Sequence, residues 1–337
     1  MNITEDVSLE QYNTFGVSVT AQYFVIVSTI DEIKEVLTSE IAKNNSVHIL
    51  GGGSNILFTK DIDGLVIKNN ILGKKVIREN NDTALVHIMS GENWHDVVMW
   101  ATEHGWGGIE NLALIPGSVG ATPVQNIGAY GVEIKDTIQS VGVVDMETGE
   151  EGEFSESECR FGYRDSIFKT DAKGKYFITY VTLELSKHQK PVTEYGAIQA
   201  KLDEMGVDKA TINNVRNAVI AIREVKLPDP KNIGNAGSFF KNPVVAKSVY
   251  QKLQKEYPDM PHYDVDNGVK IPAGWLIEQC GWKGKKVGNV GVHDKQALVI
   301  VNYGGATGKE IFDFSKKILQ SVKEKFDIEL EREVTVV

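Results

Sequence analysis

Hydrophobic and polar positions near the N-terminus predict a strand, a helix and a second strand. The run AQYFVIVS (21–28) is rich in β-branched and aromatic residues, which is typical of a strand. The next segment, 28–44, has helical spacing and predicts a helix capped by Ser28 or Thr29. The apolar face of that helix is Ile33, Val36, Leu37 and Ile41. The run SVHIL (46–50) predicts the second strand, so this region is expected to be a βαβ unit.

The rest of the chain alternates short strand patterns with longer helical ones. The strand patterns are ILFTKDIDGLVIKNN (56–70), KKVIREN (74–80), TALVHIMSG (83–91), QSVGVVDMETGEEGEFS (139–155) and KYFITYVTLELS (175–186). Helical patterns occupy 93–105, 245–258 and 307–326. In the last of these, Ile311, Phe314, Ile318 and Val322 form an apolar stripe. The predicted fold class is α+β.

Length and composition restrict the classes of protein to which the chain can belong. With 337 residues we expect two or three domains, and the Pro- and Gly-rich segment 227–237 is typical of a crossing between them. A net charge of −10 argues against a nucleic-acid partner. The first ten residues resemble no signal peptide, and no stretch is long and apolar enough for a membrane span, so we expect a cytoplasmic protein.

Cysteine and histidine usage gives no sign of a disulfide framework or a metal site. The two cysteines, Cys159 and Cys280, are interpreted as packing residues in a reducing compartment. The seven histidines form no cluster with the spacing of metal ligands, so no metal is predicted.

Three consecutive glycines interrupt the sequence VHILGGGSNILF (47–58). Glycine runs mark tight turns or a close approach of the backbone to another group. In a G-x-G-x-x-G fingerprint starting at Gly51 the third glycine would fall on Ile56, and Ser54-Asn55-Ile56 is no Walker ending. A strand pattern follows where both motifs require a helix. An ordinary turn and an anion-binding nest of N–H groups both stay open.

A second glycine-rich segment, ENLALIPGSVGATPVQNIGAYG (110–131), has neither helical nor strand periodicity. A loop of this length in a compact domain is usually functional or disordered, and its apolar content argues against disorder. Backbone donors and the amides Gln125 and Asn126 suit a large polar ligand such as a dinucleotide. A purely structural irregular loop is the alternative.

The two glycine-rich segments together resemble the flavin-binding domain of vanillyl-alcohol-oxidase-type proteins. Within that group the chain is similar to the family of UDP-N-acetylenolpyruvoylglucosamine reductases. The further matching motifs, in order along the chain, are NTFG (13–16), ECRFGYRDSIFK (158–169), TEYG (193–196), VKLPDP (225–230), NAGSFFKNP (235–243), AGWLIEQCGWKG (273–284) and LEREV (330–334). Because they span nearly the whole chain, the resemblance is far more specific than either glycine pattern.

The resemblance implies an FAD enzyme that uses NADPH to reduce the enolpyruvyl ether of a UDP-sugar to a lactyl ether, in bacterial peptidoglycan precursor synthesis. It implies two FAD-binding subdomains (1–70 and 71–224), a tyrosine-bearing loop near 190–210, a substrate domain (225–326) and a C-terminal strand (327–337) returning to the active site. A monomer is expected. The implied flavin-binding residues are Gly51, Gly52, Gly53, Ser54, Asn55, Ile115, Pro116, Gly117, Ser118, Gly120, Ala121, Thr122, Gln125, Asn126, Gly128, Ala129, Tyr130, Gly131, Ile178 and Arg223.

Three residues match the catalytic positions of the family. Arg164 would bind the substrate carboxylate, Ser238 would donate the proton, and Glu333 would polarise the enol intermediate. Lys241 and Asn242 are expected to influence Ser238 electrostatically if this segment is the first turn of a helix or a tight loop. Without the resemblance, Arg164 is typical of a surface ion pair with Asp165. Ser238 is then typical of a turn or N-cap residue, and Glu333 of an exposed acid on a terminal strand.

Substrate-binding positions of the family fall on Tyr195, Lys226, Asn242, Tyr263, Lys283 and Gln296, with Tyr195 as the tyrosine that covers the substrate. The chain departs from the family in two places. Thr335 stands where relatives often have a basic residue, and Ala121 stands where they have a hydroxyl that Thr122 would replace.

Two other functions stay open at this stage. A flavin oxidase using oxygen would be favoured by a histidine or cysteine in the flavin loops for covalent attachment, and residues 51–55 and 110–131 contain neither. A non-catalytic nucleotide-sugar binder would need the glycine loops but not Arg164, Ser238 and Glu333.

Overall fold

A computed structural model describes residues 2–337 and divides them into two units. The first unit comprises 2–7, Ala21–Gly52 and Ile62–Val225, and the second comprises Ser8–Thr20, Gly53–Asp61 and Lys226–Val337. The division at Val225 and Lys226 lies just before the Pro- and Gly-rich segment. Two stretches expected in the N-terminal subdomain, Ser8–Thr20 and Gly53–Asp61, group with the C-terminal part of the chain, because their partners are there.

Eight α-helices occur in the described residues: α1 (Ile30–Thr38), α2 (Glu40–Asn44), α3 (Trp94–Glu103), α4 (Gly196–Glu204), α5 (Ile212–Lys226), α6 (Lys247–Glu256), α7 (Ala273–Gln279) and α8 (Gly308–Phe326). The twenty strands are β1 (Thr4–Ser8), β2 (Thr20–Val27), β3 (Ser46–Leu50), β4 (Ile56–Leu57), β5 (Ile62–Asn69), β6 (Lys74–Glu79), β7 (Thr83–Met89), β8 (Gly128–Ala129), β9 (Val132–Glu133), β10 (Ile138–Asp145), β11 (Glu151–Ser155), β12 (Tyr176–Ser186), β13 (Gly234–Ser238), β14 (Val244–Val245), β15 (Tyr263–Val265), β16 (Gly268–Lys270), β17 (Lys286–Val287), β18 (Val290–Val292), β19 (Val299–Asn302) and β20 (Thr335–Val336).

The N-terminal βαβ prediction is confirmed, with one break in its helix. Strands β2, β5 and β3 are parallel in a sheet of order β1-β2-β5-β3. Thr29 caps α1 by accepting from the Glu32 N–H at 3.1 Å. The single predicted helix is two, because Ser39 is extended and caps α2 by accepting from the Ala42 N–H.

The core of the first unit lies under an antiparallel sheet of order β11-β10-β12-β7-β6. Alternate residues of β7, namely Ala84, Val86 and Ile88, are fully buried in this core together with side chains of α3, α4 and α5. The sheet and these helices carry the 110–131 segment.

The second unit contains a sheet of order β13-β19-β18-β17, a three-stranded sheet of order β14-β16-β15, and the parallel pair β20-β4. Helix α8 begins at a capping box in which Thr307 and Glu310 each accept from the other's backbone N–H. The predicted stripe of α8 is fully or almost fully buried: Ile311, Phe314, Ile318 and Val322.

Candidate active site

The first glycine turn packs against the second glycine-rich segment within the first unit. A methyl group added at Gly52 would lie 2.8 Å from the Gly117 Cα, and one added at Gly51 would lie 2.5 Å from the Ser118 Oγ. A side chain at Gly52 would push the two backbone segments apart, whereas one at Gly51 would require only the Ser118 hydroxyl to move. The turn therefore needs glycine for the mutual approach of these two backbone segments, whatever ligand it holds.

Gly53 needs glycine for a different reason. Its φ of +65° is in the left-handed region, and an added Cβ would clash with the Tyr12 carbonyl oxygen. Within residues 2–337, the backbone N–H groups of Gly52, Gly53 and Ser54 donate to no acceptor. Consecutive donors left in this way are the feature that an anion-binding nest requires.

Main-chain hydrogen bonds hold the second glycine-rich segment at the start of α3. The Val119 and Gly120 N–H groups donate to the carbonyls of Glu92 and Ser90, both at 2.9 Å. Three non-glycine residues of the segment have positive φ: Leu114, Asn126 and Tyr130. Strained backbone of this kind clusters at functional sites, where surrounding contacts maintain it.

Asn126 and Arg164 fix the far end of this segment. Asn126 is fully buried, and its Nδ2 donates to the Glu133 Oε2 at 3.0 Å and to the Gly162 carbonyl at 2.9 Å. The Arg164 guanidinium donates to the carbonyls of Asn126 and Gly128 and lies 3.9 Å from the Glu133 carboxylate.

Arg223, Tyr130 and Tyr195 form a second group around the same segment. The Arg223 Nε donates to the Leu114 carbonyl at 3.3 Å, and its guanidinium interacts electrostatically with the Tyr130 hydroxyl. Burial lowers the pKa of Arg223 and raises the pKa of Tyr130, while their mutual contact opposes both shifts. The Tyr130 and Tyr195 rings meet edge to face with centroids 5.6 Å apart.

The other predicted flavin residues lie in or beside this segment, and Thr122 differs from its expected role. The Thr122 hydroxyl donates to the Val119 carbonyl at 2.8 Å and is buried, so it is already used internally while Ala121 is exposed. Ile178 is buried in β12 opposite Val143. The remaining predicted positions of the segment are Ile115, Pro116, Gln125, Ala129 and Gly131.

Ser238 and Glu333 are neighbours in the second unit although 95 positions separate them in sequence. The Glu333 N–H donates to the Phe239 carbonyl at 2.9 Å, and the Lys241 N–H donates to the Glu331 carbonyl at 2.9 Å. Ser238 ends β13 just after a bulge, where Gly237 has a φ of +67° and its N–H donates to the Asn235 Oδ1. These contacts bring a hydroxyl and a carboxylate residue onto adjoining backbone.

The C-terminal segment is fixed on both sides of Glu333. The Asn55 Nδ2 donates to the Glu333 carbonyl at 3.3 Å, and the Thr335 N–H donates to the Asn55 carbonyl at 3.1 Å. On the other side, the Arg332 Nε donates to the Ser315 Oγ at 2.9 Å, and its guanidinium lies over the Phe312 ring. Thr335 is exposed in β20.

Lys241 and Asn242, which follow Ser238 in sequence, have partners of their own. The Lys241 Nζ forms an ion pair with Glu331 at 3.1 Å, and the Asn242 Oδ1 accepts from the Ala273 N–H at the start of α7. These partners fix both side chains, and an electrostatic effect of either residue on Ser238 stays a prediction.

The predicted substrate-binding residues are spread over both units. Asn242 and Gln296 both lie at the start of α7, since a Cβ added at Gly274 would be 3.3 Å from the Gln296 Oε1. Lys283 follows α7 and pairs with Glu278 at 2.9 Å. The other positions are Tyr263, which is exposed in β15, Lys226, which is exposed at the end of α5, and Tyr195, which is exposed in the first unit.

Several residues of the site carry no signal in the sequence. Asn111 is fully buried between two backbone carbonyls, Glu133 accepts from Asn126, and Arg332 anchors the C-terminal segment. Glu110 is buried, which raises its pKa, and its Oε1 and the Asn111 Oδ1 have no hydrogen-bond partner in the described residues. Only the three-dimensional contacts identify these positions.

Both cysteines are free, and burial raises the pKa of Cys159 to about 12, which agrees with packing roles. Among residues 2–337 no group of three His, Cys, Asp or Glu side chains could hold a metal ion. In the same range, every helix is too short or too polar to cross a bilayer.

Comparison with known proteins gives two family matches and several full-length relatives. Residues 229–337 match the C-terminal domain of UDP-N-acetylenolpyruvoylglucosamine reductase, and residues 21–155 match an FAD binding domain. Proteins named UDP-N-acetylenolpyruvoylglucosamine reductase from Flavobacterium johnsoniae and Chromobacterium violaceum are 50% and 49% identical, over 100% and 97% of both chains. The crystal structure of that reductase from Thermus caldophilus superposes with a TM-score of 0.70 and 25% identity, covering 100% of this chain and 99% of the other.

Proposed function

Since the chain belongs to the UDP-N-acetylenolpyruvoylglucosamine reductase family, we propose that it reduces UDP-N-acetylglucosamine enolpyruvate to UDP-N-acetylmuramate. It uses FAD as cofactor and NADPH as hydride donor, and the reaction is a step of bacterial peptidoglycan precursor synthesis. The structural observation that supports this most directly is the adjoining placement of Ser238 and Glu333, because the reaction needs a proton donor and a polarising group.

The glycine turn fits FAD by the chemistry of its donors. The N–H groups of Gly52, Gly53 and Ser54 donate to no acceptor within residues 2–337, and no helix follows them. Such donors suit a pyrophosphate. We assign the pyrophosphate to this turn and the rest of the cofactor to the 115–131 segment, with Arg223 and Ile178 beside it. With FAD held by these residues, the site would gain the hydride-transfer chemistry that links NADPH to the terminal carbon of the enolpyruvyl group.

Three side chains are assigned to stabilising the negative charge that develops on the substrate and to donating the proton. Hydride addition moves negative charge to the neighbouring carbon and its carboxylate, which a fixed cation stabilises. Arg164 is assigned that role, since its guanidinium stays charged and can bind a carboxylate with two hydrogen bonds. Ser238 donates the proton to the charged carbon, and Glu333 polarises the enol form of the substrate.

Substrate recognition is assigned to residues around α7 and to Tyr195. Lys283 and Lys226 supply positive charge for the diphosphate or carboxylate, and Asn242 and Gln296 supply amides at the start of α7. Tyr263 and Tyr195 are exposed aromatic side chains that suit the uridine and the covering of the sugar. Thr335 leaves the C-terminal strand without the basic residue common in relatives.

The proposal is tested by separating the two half-reactions of a Ser238→Ala variant. Flavin reduction by NADPH should stay within about twofold of the wild-type rate, while reoxidation by the enolpyruvyl UDP-sugar should fall by at least about 100-fold, the usual size of a lost general acid. Ser248→Ala, on the exposed face of α6, is the matched control and should change neither rate.

Three outcomes would contradict the proposal. Equal loss in both half-reactions would show that Ser238 has a structural role. NADPH oxidation that the sugar does not accelerate, with flavin reoxidised by oxygen instead, would favour an oxidase. A colourless protein that cannot be reconstituted with FAD would favour a nucleotide-sugar binder.

Location and assembly form a separate part of the proposal. We propose a cytoplasmic monomer, as the family resemblance implies. Cell fractionation and light scattering on the holoenzyme measure the two properties, and a membrane-bound or dimeric protein would contradict the respective statement.

A further inference from the structure

A buried asparagine joins the flavin segment to the chain that leads to Tyr195. Asn111 is fully buried, and its Nδ2 donates to the Tyr130 carbonyl at 3.1 Å and to the Val192 carbonyl at 3.0 Å. Tyr130 belongs to the 110–131 segment, and Val192 lies three residues before Tyr195. One amide group therefore uses both of its hydrogens on backbone of two different segments.

The segments meet again through their side chains. The Tyr130 and Tyr195 rings pack edge to face with centroids 5.6 Å apart and an angle of 89° between their planes. A Cβ added at Gly131 would lie 3.8 Å from the Val192 Cγ1, an ordinary contact distance. Tyr130 itself has a φ of +50°, so its carbonyl is directed by an unusual backbone conformation.

The contacts require an asparagine at this position. Both partners of the side chain are carbonyl oxygens, which only accept, so the amide nitrogen must face them. The Asn111 Oδ1 is buried with no hydrogen-bond partner in the described residues. A buried acceptor without a hydrogen-bond partner has a free-energy cost, and the folded protein keeps this cost at the Asn111 Oδ1. The two donated bonds are therefore the gain that offsets this cost.

We propose that Asn111 is a positioning residue that holds the tyrosine segment, defined as residues 187–195 between β12 and α4, against the flavin segment. By fixing Val192 it fixes Tyr195, and so it sets the affinity for the UDP-sugar without taking part in hydride or proton transfer. The kinetic part of this inference rests on the proposed function. The structural part does not.

The structural part is tested by hydrogen exchange on the purified holoenzyme. Asn111→Leu removes both donors, and Asn111→Asp keeps the size while placing carboxylate oxygens against two carbonyls. The amides that report on this segment are those of Lys187 and His188, which donate to the Asp82 carbonyl and the Ser186 Oγ, and that of Ile198, which donates to the Tyr195 carbonyl. Loss of the two Asn111 hydrogen bonds should accelerate exchange of these amides by roughly five- to hundredfold. Asn44→Leu is the matched control, because the Asn44 amide donates to a helix carbonyl at the surface and should leave their exchange unchanged.

The kinetic part is tested by the split between the two substrates. In Asn111→Leu the KM for the UDP-sugar should rise by roughly five- to hundredfold, while flavin reduction by NADPH changes less than twofold. In a Tyr195→Ala background the same substitution should add no further rise, since it acts through Tyr195.

The outcomes of these experiments either support or overturn the proposed role of Asn111. Unchanged exchange of the Lys187, His188 and Ile198 amides would overturn the inference, as would equal damage to both half-reactions or fully additive effects with Tyr195→Ala. Failure of both Asn111 variants to fold would also overturn it, because Asn111 would then support the whole unit. If the wild-type enzyme shows no sugar-dependent NADPH oxidation, the proposed function fails while the exchange result still stands by itself.

Discussion

Replacing Gly52 by alanine tests whether the two glycine-rich segments must touch in order to bind the cofactor. Gly52 has no positive φ, so the added methyl group acts through space alone. It would lie 2.8 Å from the Gly117 Cα, 3.2 Å from the Gly117 carbonyl carbon and 3.4 Å from the Ser118 nitrogen. All three are backbone atoms, which have no alternative rotamer to adopt.

The size of the effect follows from the overlap. Carbon atoms in contact are best placed at about 3.5–4.0 Å, so the segments must separate by roughly 0.7–1.2 Å. Overpacking of this kind costs about 1–3 kcal/mol. At 1.4 kcal/mol for each factor of ten, the Kd for FAD should rise by about 5- to 150-fold if separation of the segments relieves the strain.

The assay is FAD titration of the apoprotein, followed by flavin fluorescence, with urea denaturation of the apoprotein beside it. If the segments do not separate, the same energy should appear as lost apoprotein stability. Gly152→Ala is the control, because its methyl group would lie 3.5 Å from the Val143 Cγ2, an ordinary contact on an exposed strand. An FAD Kd within twofold of wild type, with unchanged apoprotein stability, would refute the reasoning.

Two further predictions concern buried or partly buried charges. Burial raises the pKa of Glu110, so the folded protein binds the carboxyl proton of Glu110 more tightly than the unfolded chain does. The free energy of unfolding therefore falls as pH rises from 4.5, the ordinary carboxyl pKa, through the raised pKa of the folded protein. Glu110→Gln should therefore raise the melting temperature at pH 8 more than at pH 4.5, and an equal change at both would contradict this. Arg332→Met loses the bond to Ser315 and the contact with Phe312, so it should lower unfolding free energy by about 1–2 kcal/mol in denaturant titration and slow flavin reoxidation. Unchanged stability would contradict the anchoring role.

The sequence was a good guide wherever one periodic pattern filled a whole element. The α+β class and the family resemblance are confirmed, and α8 carries the predicted stripe in its core. Helix α5 was missed, although Val215, Ala218, Val219 and Ile222 are buried at helical spacing. The helical pattern of α5 is therefore readable in the sequence. The break between α1 and α2 at Ser39 is harder to predict from the sequence, because the apolar face continues across it.

Contacts between distant segments were beyond sequence reasoning. The pairing of β20 with β4 joins the C-terminus to residues just after the glycine turn, and no periodicity indicates it. From sequence alone, Arg164 is typical of an ion pair with its neighbour Asp165. In the structure its φ is +53°, and its guanidinium donates to carbonyls of the 110–131 segment. Which residues are neighbours in sequence does not predict side-chain contacts where the backbone has a left-handed conformation.

The three predicted catalytic residues also show that sequence motifs do not reveal contacts between distant segments. Motifs identified Arg164, Ser238 and Glu333 one by one, while only the structure shows how the last two adjoin, through the Phe239 carbonyl. Arg164 lies in the first unit and the other two in the second. The roles assigned to all three stay predictions until the half-reactions are measured.

Glycine content by itself is a weaker argument for a cofactor than it first appears in such a turn. Gly52 is explained by the approach of Gly117, and Gly53 by its left-handed φ and the Tyr12 carbonyl, so neither needs a ligand. The N–H groups are different. Gly53 is buried, yet within residues 2–337 its N–H donates to no acceptor, which is rare for buried backbone. Beside it, the N–H groups of the exposed Gly52 and the half-buried Ser54 also donate to no acceptor among these residues. A turn that served packing alone would have paired the Gly53 N–H. The inference of a bound pyrophosphate therefore depends on these donors, and the glycines explain only how the turn can bring them together.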